Sequence, residues 1–207
     1  MFKYLPADTQ IALFSATFPN DVLDLTKHFM RDPAKILVKK QNLTLEGINQ
    51  YYIACERVEW KLELLLDLYS KMDINQAIIY CNTKKRVEEL EKSMTESDFV
   101  VSILHGEQEQ TQRNLVMQQF RKGASRVLIT TDLMARGIDV QQVELVINFE
   151  LPTNKENYIH RIGRAGRWGK KGRAINFVTP RDAGVLKEVQ EYYETQIMEM
   201  PSDLDEL

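Results

Sequence analysis

Cysteine is scarce in this sequence: its 207 residues hold two, Cys55 and Cys81. Each sits inside an apolar, strand-like run, and neither belongs to a Cys-x-x-Cys pair or a Cys/His cluster. A disulfide-stapled scaffold and a cysteine-ligated zinc centre are thereby excluded, and both thiols read as reduced core residues. No metal site is expected in the chain. Long apolar runs are missing as well. Nothing approaches the roughly 18 consecutive apolar residues of a membrane-crossing helix, and the N-terminus lacks the charged-then-apolar pattern of a targeting segment. The expectation is a soluble, intracellular protein with no membrane partner. Positive charge is not in excess: 27 Lys and Arg face 30 Asp and Glu, for a net charge of −3. That excludes a wholly basic nucleic-acid coat. No Gly-x-x-x-x-Gly-Lys-Ser/Thr loop occurs either, so the chain lacks that cradle for nucleotide phosphates.

What the chain does have is segregated charge. Arg161 through Arg173 contains six Lys or Arg and no acid, while acids gather from Glu188 to Glu206. Within the basic stretch, Arg161, Arg164 and Arg167 recur at a spacing of three, which on a helix leans them to one side. Each arginine offers five donors in a planar, permanently charged fork. Several such forks on one side suit a phosphate chain better than a lone carboxylate. Gly163 and Gly166 clear space for close approach and loosen the helix as it ends.

Apolar runs rich in β-branched and aromatic residues recur at Gln50–Cys55, Gln76–Cys81, Val100–Leu104, Arg126–Thr130, Glu144–Phe149 and Arg173–Val178. Charged stretches with helical stripes lie between most of them, such as Trp60/Leu64/Leu65/Leu68, Val87/Leu90/Met94 and Leu115/Val116/Gln119/Phe120. This alternation predicts βαβ units and an α/β fold, a mainly parallel sheet covered by helices on both faces. Runs such as Val127-Leu128-Ile129 lack strict alternation, as strands buried on both sides should. A helix is predicted over Lys84–Glu96 behind Asn82-Thr83. Thr153 and Glu156 fit a capping box opening a helix that carries Tyr158, His160 and Arg161. The N-terminal part differs: one strand, Gln10–Phe14, one helix, Asp21–Phe29, then a connector, too little to build a core alone.

Ligands of open parallel sheets sit at the carboxyl ends of the strands. Asn82-Thr83, His105-Gly106 and Thr131-Asp132 fall there. Hydroxyls, small residues and backbone N–H groups at helix starts suit phosphates. A row of them could follow a nucleic-acid backbone without reading its sequence.

Taken in order, Ser15-Ala16-Thr17, Ile78-Ile79-Tyr80-Cys81-Asn82-Thr83, Thr130-Thr131-Asp132 with Arg136-Gly137-Ile138-Asp139, and His160-Arg161-Ile162-Gly163-Arg164-Ala165-Gly166-Arg167 resemble the motifs of DEAD-box RNA helicases, in the half that follows the DEAD box. The resemblance covers essentially the whole chain and is closest to the translation initiation factor 4A group, notably in Gly137–Val143 and Thr195-Gln196-Ile197. It implies a three-layer RecA-like domain over residues 48–207, a linker over 34–47, and over 1–33 the last strand and helix of an N-terminal helicase domain. It implies that Arg164 and Arg167 are catalytic fingers reaching the γ-phosphate of ATP, with Asp139 and Gly137 also at the nucleotide. Thr83, Arg113 and Thr131 match positions that grip RNA phosphates, Gln110 and Arg113 match a Gln-x-x-Arg motif, and Asn82, His105 and Gly106 border that surface. Ser15, Ala16, Thr17, Asp132, Arg136, His160 and Arg161 are assigned to coupling between sites, with Asp132 and Arg136 in a salt-bridge network.

The implied ligands are ATP with Mg²⁺, held mainly by an N-terminal helicase domain, and single-stranded or duplex RNA. The implied partner is a helical-repeat initiation scaffold, the implied state a monomer, and the implied location the cytoplasm, or the nucleus for a paralogue that marks spliced messenger RNA or serves ribosome biogenesis. With neither the Gly-Lys-Ser/Thr loop nor Asp-Glu-Ala-Asp present, the polypeptide alone is expected neither to hydrolyse ATP nor to unwind RNA. The competing reading is a nucleotide-independent RNA- or protein-binding module of the same ancestry.

Overall fold

The computed structural model describes residues 5–6, 8–15, 20–36, 47–132, 143–166 and 171–201. The chain divides into two compact units, Met1–Thr44 and Leu45–Leu207.

In the first unit the expected helix is present but short. Helix α1 spans Asn20–Thr26. Past it, Phe29 N–H reaches back to the Thr26 carbonyl at 3.2 Å, a three-residue bond that tightens and ends the helix. The expected strand Gln10–Phe14 does not form: these residues have no strand pairing, and Phe14 is 94% exposed. A strand is held by the edge it pairs with, and none is supplied here.

The second unit is a parallel α/β domain, as its alternating pattern predicts. Its elements are β1 (Ile48–Ala54), α2 (Lys61–Lys71), β2 (Ala77–Tyr80), α3 (Lys84–Glu96), β3 (Val101–Leu104), α4 (Gln110–Arg121), β4 (Val127–Thr130), β5 (Leu145–Asn148), α5 (Lys155–Ile162), β6 (Gly172–Val178), α6 (Ala183–Tyr193) and β7 (Met198–Glu199). The strand order is β3-β4-β2-β5-β6-β1-β7, and every ladder is parallel. The short edge strand β7 has no apolar run to announce it; both its residues are exposed.

The central strands are mostly apolar because both faces are covered. Leu65 and Leu68 of α2 and Val87, Leu90 and Met94 of α3 form one cluster with Ala77, Ile79, Ile129, Ile147 and Phe177. The alternate residues Ile78, Leu128, Val146 and Ala174 are fully buried and point to the opposite face. On that face α5 bonds to the sheet through Tyr158 and Arg161.

Two expected stripes are only partly core. Trp60 is 43% exposed, because a single three-residue turn, Val58–Trp60, precedes α2 and swings it outward. Lys61 goes inside instead. Its Nζ donates to the carbonyls of Phe149 at 2.9 Å and Phe177 at 3.0 Å, with Asp182 3.7 Å away. In α4, Phe120 is buried but Leu115 is 53% exposed. The cap of α5 also differs: Asn154, not Thr153, accepts from Asn157 N–H at 2.8 Å. Asn154 has the extended backbone a cap needs, one residue later than expected.

Candidate functional site

Because the strands run parallel, their carboxyl ends share one edge of the sheet. Strands β3, β4 and β2 are neighbours in that order. Their ends bring His105-Gly106, Thr131-Asp132 and Asn82-Thr83 to adjacent positions, as anticipated. Register puts Leu104, Thr130, Tyr80, Asn148 and Asn176 in one line across the sheet just beneath that edge. Four of these five are polar or phenolic, in largely apolar strands.

Arg161 covers this line. It is fully buried, and each of its N–H groups is engaged. Nε and Nη2 clasp the Asp132 carboxylate at 2.5 and 2.8 Å. Nη1 donates to Asn148 Oδ1 at 3.1 Å and to the Glu150 carbonyl at 2.7 Å, and Nη2 donates to Asn82 Oδ1 at 2.8 Å. The guanidinium carbon lies 5.2 Å from the centre of the Tyr80 ring. One cation thus ties together the ends of β2, β4 and β5.

This corrects the row of three arginines. Helix α5 ends at Ile162 with Gly163 as its cap, so Arg161 turns into the domain while Arg164 lies in the following turn. Arg164 is half-buried, and its Nε donates to the His160 carbonyl at 3.0 Å. Gly166 adopts φ +70°, and a Cβ on Gly172 would meet Gly166 N at 2.3 Å. The loop that leaves α5 therefore returns to β6 across a contact only glycine permits. Arg167, Arg136, Gly137 and Asp139 lie outside the described residues, as do Ala16 and Thr17.

The expected phosphate-binding residues divide into outward and inward groups. Thr83 is exposed and caps α3, accepting from Arg86 N–H at 3.2 Å. Gly106 is exposed, and Gln110 and the half-buried Arg113 lie in the first turn of α4. Gln110 Nε2 donates to Asn114 Oδ1 at 2.9 Å. Asn82, by contrast, commits its side chain inward: Oδ1 accepts from Arg161, and Nδ2 donates to the Leu151 carbonyl at 2.8 Å. The ring of His105 is buried, with Nε2 3.8 Å from Glu88. Thr131 is 7% exposed. Asn82 is nevertheless exposed, with its amide held by the bonds to Arg161 and Leu151 and its backbone N–H by Glu150, whereas His105 is buried and its backbone N–H donates to Gln108 Oε1 at 3.1 Å. Ser15 is exposed in the first unit, and His160 is half-buried in the last turn of α5.

Sequence reading missed Glu150, Asn148 and Tyr80. Glu150 Oε2 accepts from Asn82 N–H at 2.7 Å, and its Oε1 lies 3.8 Å from Arg86 Nε. Lone polar residues inside apolar strands, Asn148 after Leu-Val-Ile and Asn176 after Ala-Ile, were the available signal. Burial pushes the Tyr80 phenol above its ordinary value, and Arg164 and Arg161 pull the other way. Burial, aided by the Glu150 carboxylate, pushes the Cys81 thiol up to about 12. At the rim, Glu107 holds Lys84 above its ordinary value and is itself held down by Lys84. Among the described residues no group of His, Cys, Asp or Glu is placed to hold a metal ion, and no helix is long and apolar enough to cross a membrane.

The edge thus presents hydroxyl, amide and backbone donors above an internally neutralised joint, which suits anions held along a line. The family model of the helicase conserved C-terminal domain matches residues 60–169. The ATP-dependent RNA helicase eIF4A of Aspergillus clavatus is 59% identical over all 207 residues, which is 52% of its own length. Eukaryotic initiation factor 4A of Caenorhabditis elegans is 58% identical over the same span and likewise 52% of its length. The chain therefore spans about half the length of the curated relatives it matches. Among solved structures, S. cerevisiae Dbp5 bound to RNA and ADP BeF3 superposes with a TM-score of 0.91 at 37% identity, over 99% of this chain and 55% of that one. A structure of the C-terminal domain of Dbp5 alone gives 0.72 at 38% identity, over 79% of this chain and 96% of that one.

Proposed function

Because this chain belongs to the helicase conserved C-terminal domain family, we propose that it is the second half of an ATP-dependent RNA helicase of the initiation-factor-4A type. In this reading residues 1–33 are the end of a first helicase domain, 34–47 the linker, and 48–207 the second RecA-like domain. The phosphate cradle and the ligands of Mg²⁺ belong to the first domain.

Arg164 and Arg167 reach the γ-phosphate across the cleft between domains. There they stabilise charge that spreads over the transferring phosphoryl group, a contribution of roughly 10³–10⁵ in rate where arginine fingers have been measured. Asp139 and Gly137 border the nucleotide. Thr83, Gly106, Gln110, Arg113 and Thr131 take RNA phosphates, with Asn82 and His105 bordering them, so RNA binds without sequence preference. Arg161 and Asp132 touch neither ligand; they hold the strand ends that carry both surfaces. Ser15-Ala16-Thr17, Arg136 and His160 belong to the coupling between domains. ATP and RNA draw the domains together, each favouring the other through the closed form. The protein works as a monomer in the cytoplasm, and a helical-repeat scaffold holds it near messenger RNA.

The observation that carries this reading is the shared edge: Thr83 and Thr131 follow the neighbouring strands β2 and β4, and the joint that fixes those strand ends, Arg161, lies three residues before Arg164. The test is complementation. The chain, mixed with a separately expressed first domain of an initiation-factor-4A helicase, is expected to give RNA-dependent phosphate release that neither part gives alone. Absence of turnover, with RNA still bound, would favour the nucleotide-independent module.

A further inference from the structure

The polar line beneath the edge does not stop at Arg161. Arginine can only donate hydrogen bonds, so Asn148 must turn its oxygen to Nη1, at 3.1 Å. That forces the Asn148 amide nitrogen the other way, where it donates to Asn176 Oδ1 at 2.8 Å. Asn176 in turn must donate onward, and its Nδ2 reaches Tyr158 Oη at 3.3 Å and the Tyr51 carbonyl at 2.9 Å. Tyr158 Oη, having accepted, donates to Gln50 Oε1 at 2.8 Å. Gln50 Nε2 donates to Thr195 Oγ1 at 2.9 Å. Every bond runs in one direction, and the direction is set at its head by the charge of Arg161. Arg161, Asn148, Asn176 and Tyr158 are fully buried, and Gln50 is 4% exposed.

Thr195 is half-buried at the start of the C-terminal strap. The strap is fastened beyond it: Ile197 N–H donates to Gln190 Oε1, Met198 and Glu199 pair with Tyr51 and Tyr52, and Met200 N–H donates to the Tyr52 carbonyl. A one-way chain in a low-dielectric interior polarises each bond by its neighbours, and every amide oxygen in it faces toward the cation.

We propose that Asn148, Asn176, Tyr158, Gln50 and Thr195 are positioning residues for Arg161, so that seating of the C-terminal strap and orientation of the guanidinium at the ligand edge form one cooperative unit. The functional consequence rests on the reading of that edge given above; the coupling itself does not. Docking of the strap supplies the last acceptor in the chain. Its release leaves Gln50 to turn, then Tyr158 and the two asparagines, and loosens the grip that holds the ends of β2, β4 and β5. The strap thereby becomes a place from which the edge can be tuned without contact to either ligand.

The test uses the ¹⁵N-labelled chain without nucleotide or RNA and follows solvent exchange of the Arg161 Nε–H by NMR. A failure here is thus separate from a failure of the helicase reading. Thr195→Val and Tyr158→Phe are expected to speed that exchange by roughly tenfold, while the backbone amides of Ile79 and Ile129 keep their protection. Thr195→Ser restores the hydroxyl and the slow rate. Should Tyr158→Phe fail to fold, Thr195→Val decides alone, since its side chain lies at the surface end of the chain. Unchanged Nε–H exchange in Thr195→Val, or exchange that rises equally at Ile79 and Ile129, overturns the proposal.

Discussion

Arg161 and Asp132 meet as a two-pronged ion pair, Nε to Oδ1 at 2.5 Å and Nη2 to Oδ2 at 2.8 Å, with the arginine fully buried and the carboxylate one quarter exposed. Sited at the end of β4, the pair is an internal fastening rather than a receptor for ligand. It explains why an arginine in the most basic stretch of the chain faces inward: four further acceptor contacts or ring faces, from Asn148, Glu150, Asn82 and Tyr80, surround it.

Removing one partner of such a pair leaves the other charge buried. Asp132→Ala is therefore expected to destabilise the domain by about 3–5 kcal/mol. Urea unfolding of the chain checks this, with the transition midpoint falling and its slope unchanged. Arg161→Lys keeps the charge but loses the fork, and is expected to rescue little.

The loop carrying Arg164 closes on a glycine contact. A Cβ on Gly172 meets Gly166 N at 2.3 Å and Ala165 C at 2.7 Å, all backbone. Gly172→Ala is expected to cost about 1–3 kcal/mol by overpacking. Gly184, in the first turn of α6, has nothing within 4 Å of its would-be Cβ. Gly184→Ala is expected to gain up to about 1 kcal/mol. Thermal melts of the two variants should move in opposite directions.

Folding lifts the Cys81 thiol from an ordinary value of 9.0 to about 12. The native state therefore keeps its proton where the unfolded state has lost it. The stability this group contributes is intact below the unfolded value and declines as pH rises from about 9 towards 12. At pH 8 native Cys81 and Cys55 should both resist a thiol reagent, and both should react in denaturant. Rapid native labelling of either would contradict their burial.

How far the sequence could be read follows from which forces act locally. The strands were legible because a run such as Val127-Leu128-Ile129 must be buried on both sides, whatever surrounds it. Helix α3 was legible because Thr83 caps it and Val87, Leu90 and Met94 line one face. Arg161 was not, since its direction depends on Asp132, Asn148 and Asn82, three residues far apart in sequence that only the sheet brings together. Trp60 and Lys61 exchanged places for a similar reason: one short turn before α2 decides which of two adjacent side chains enters. Strand Gln10–Phe14 had the pattern but lacked an edge to pair with. The site was thus legible as a set of strand ends, and illegible in which side chains face out.

In the proposed function Arg164 completes a phosphate site supplied by another domain. The direct measurement is RNA-stimulated ATP turnover of the chain complemented with a first helicase domain, compared with the same mixture carrying Arg164→Ala. A fall of roughly 10³ or more, with RNA affinity of the chain unchanged, is the predicted result. Turnover equal in the two mixtures would contradict it.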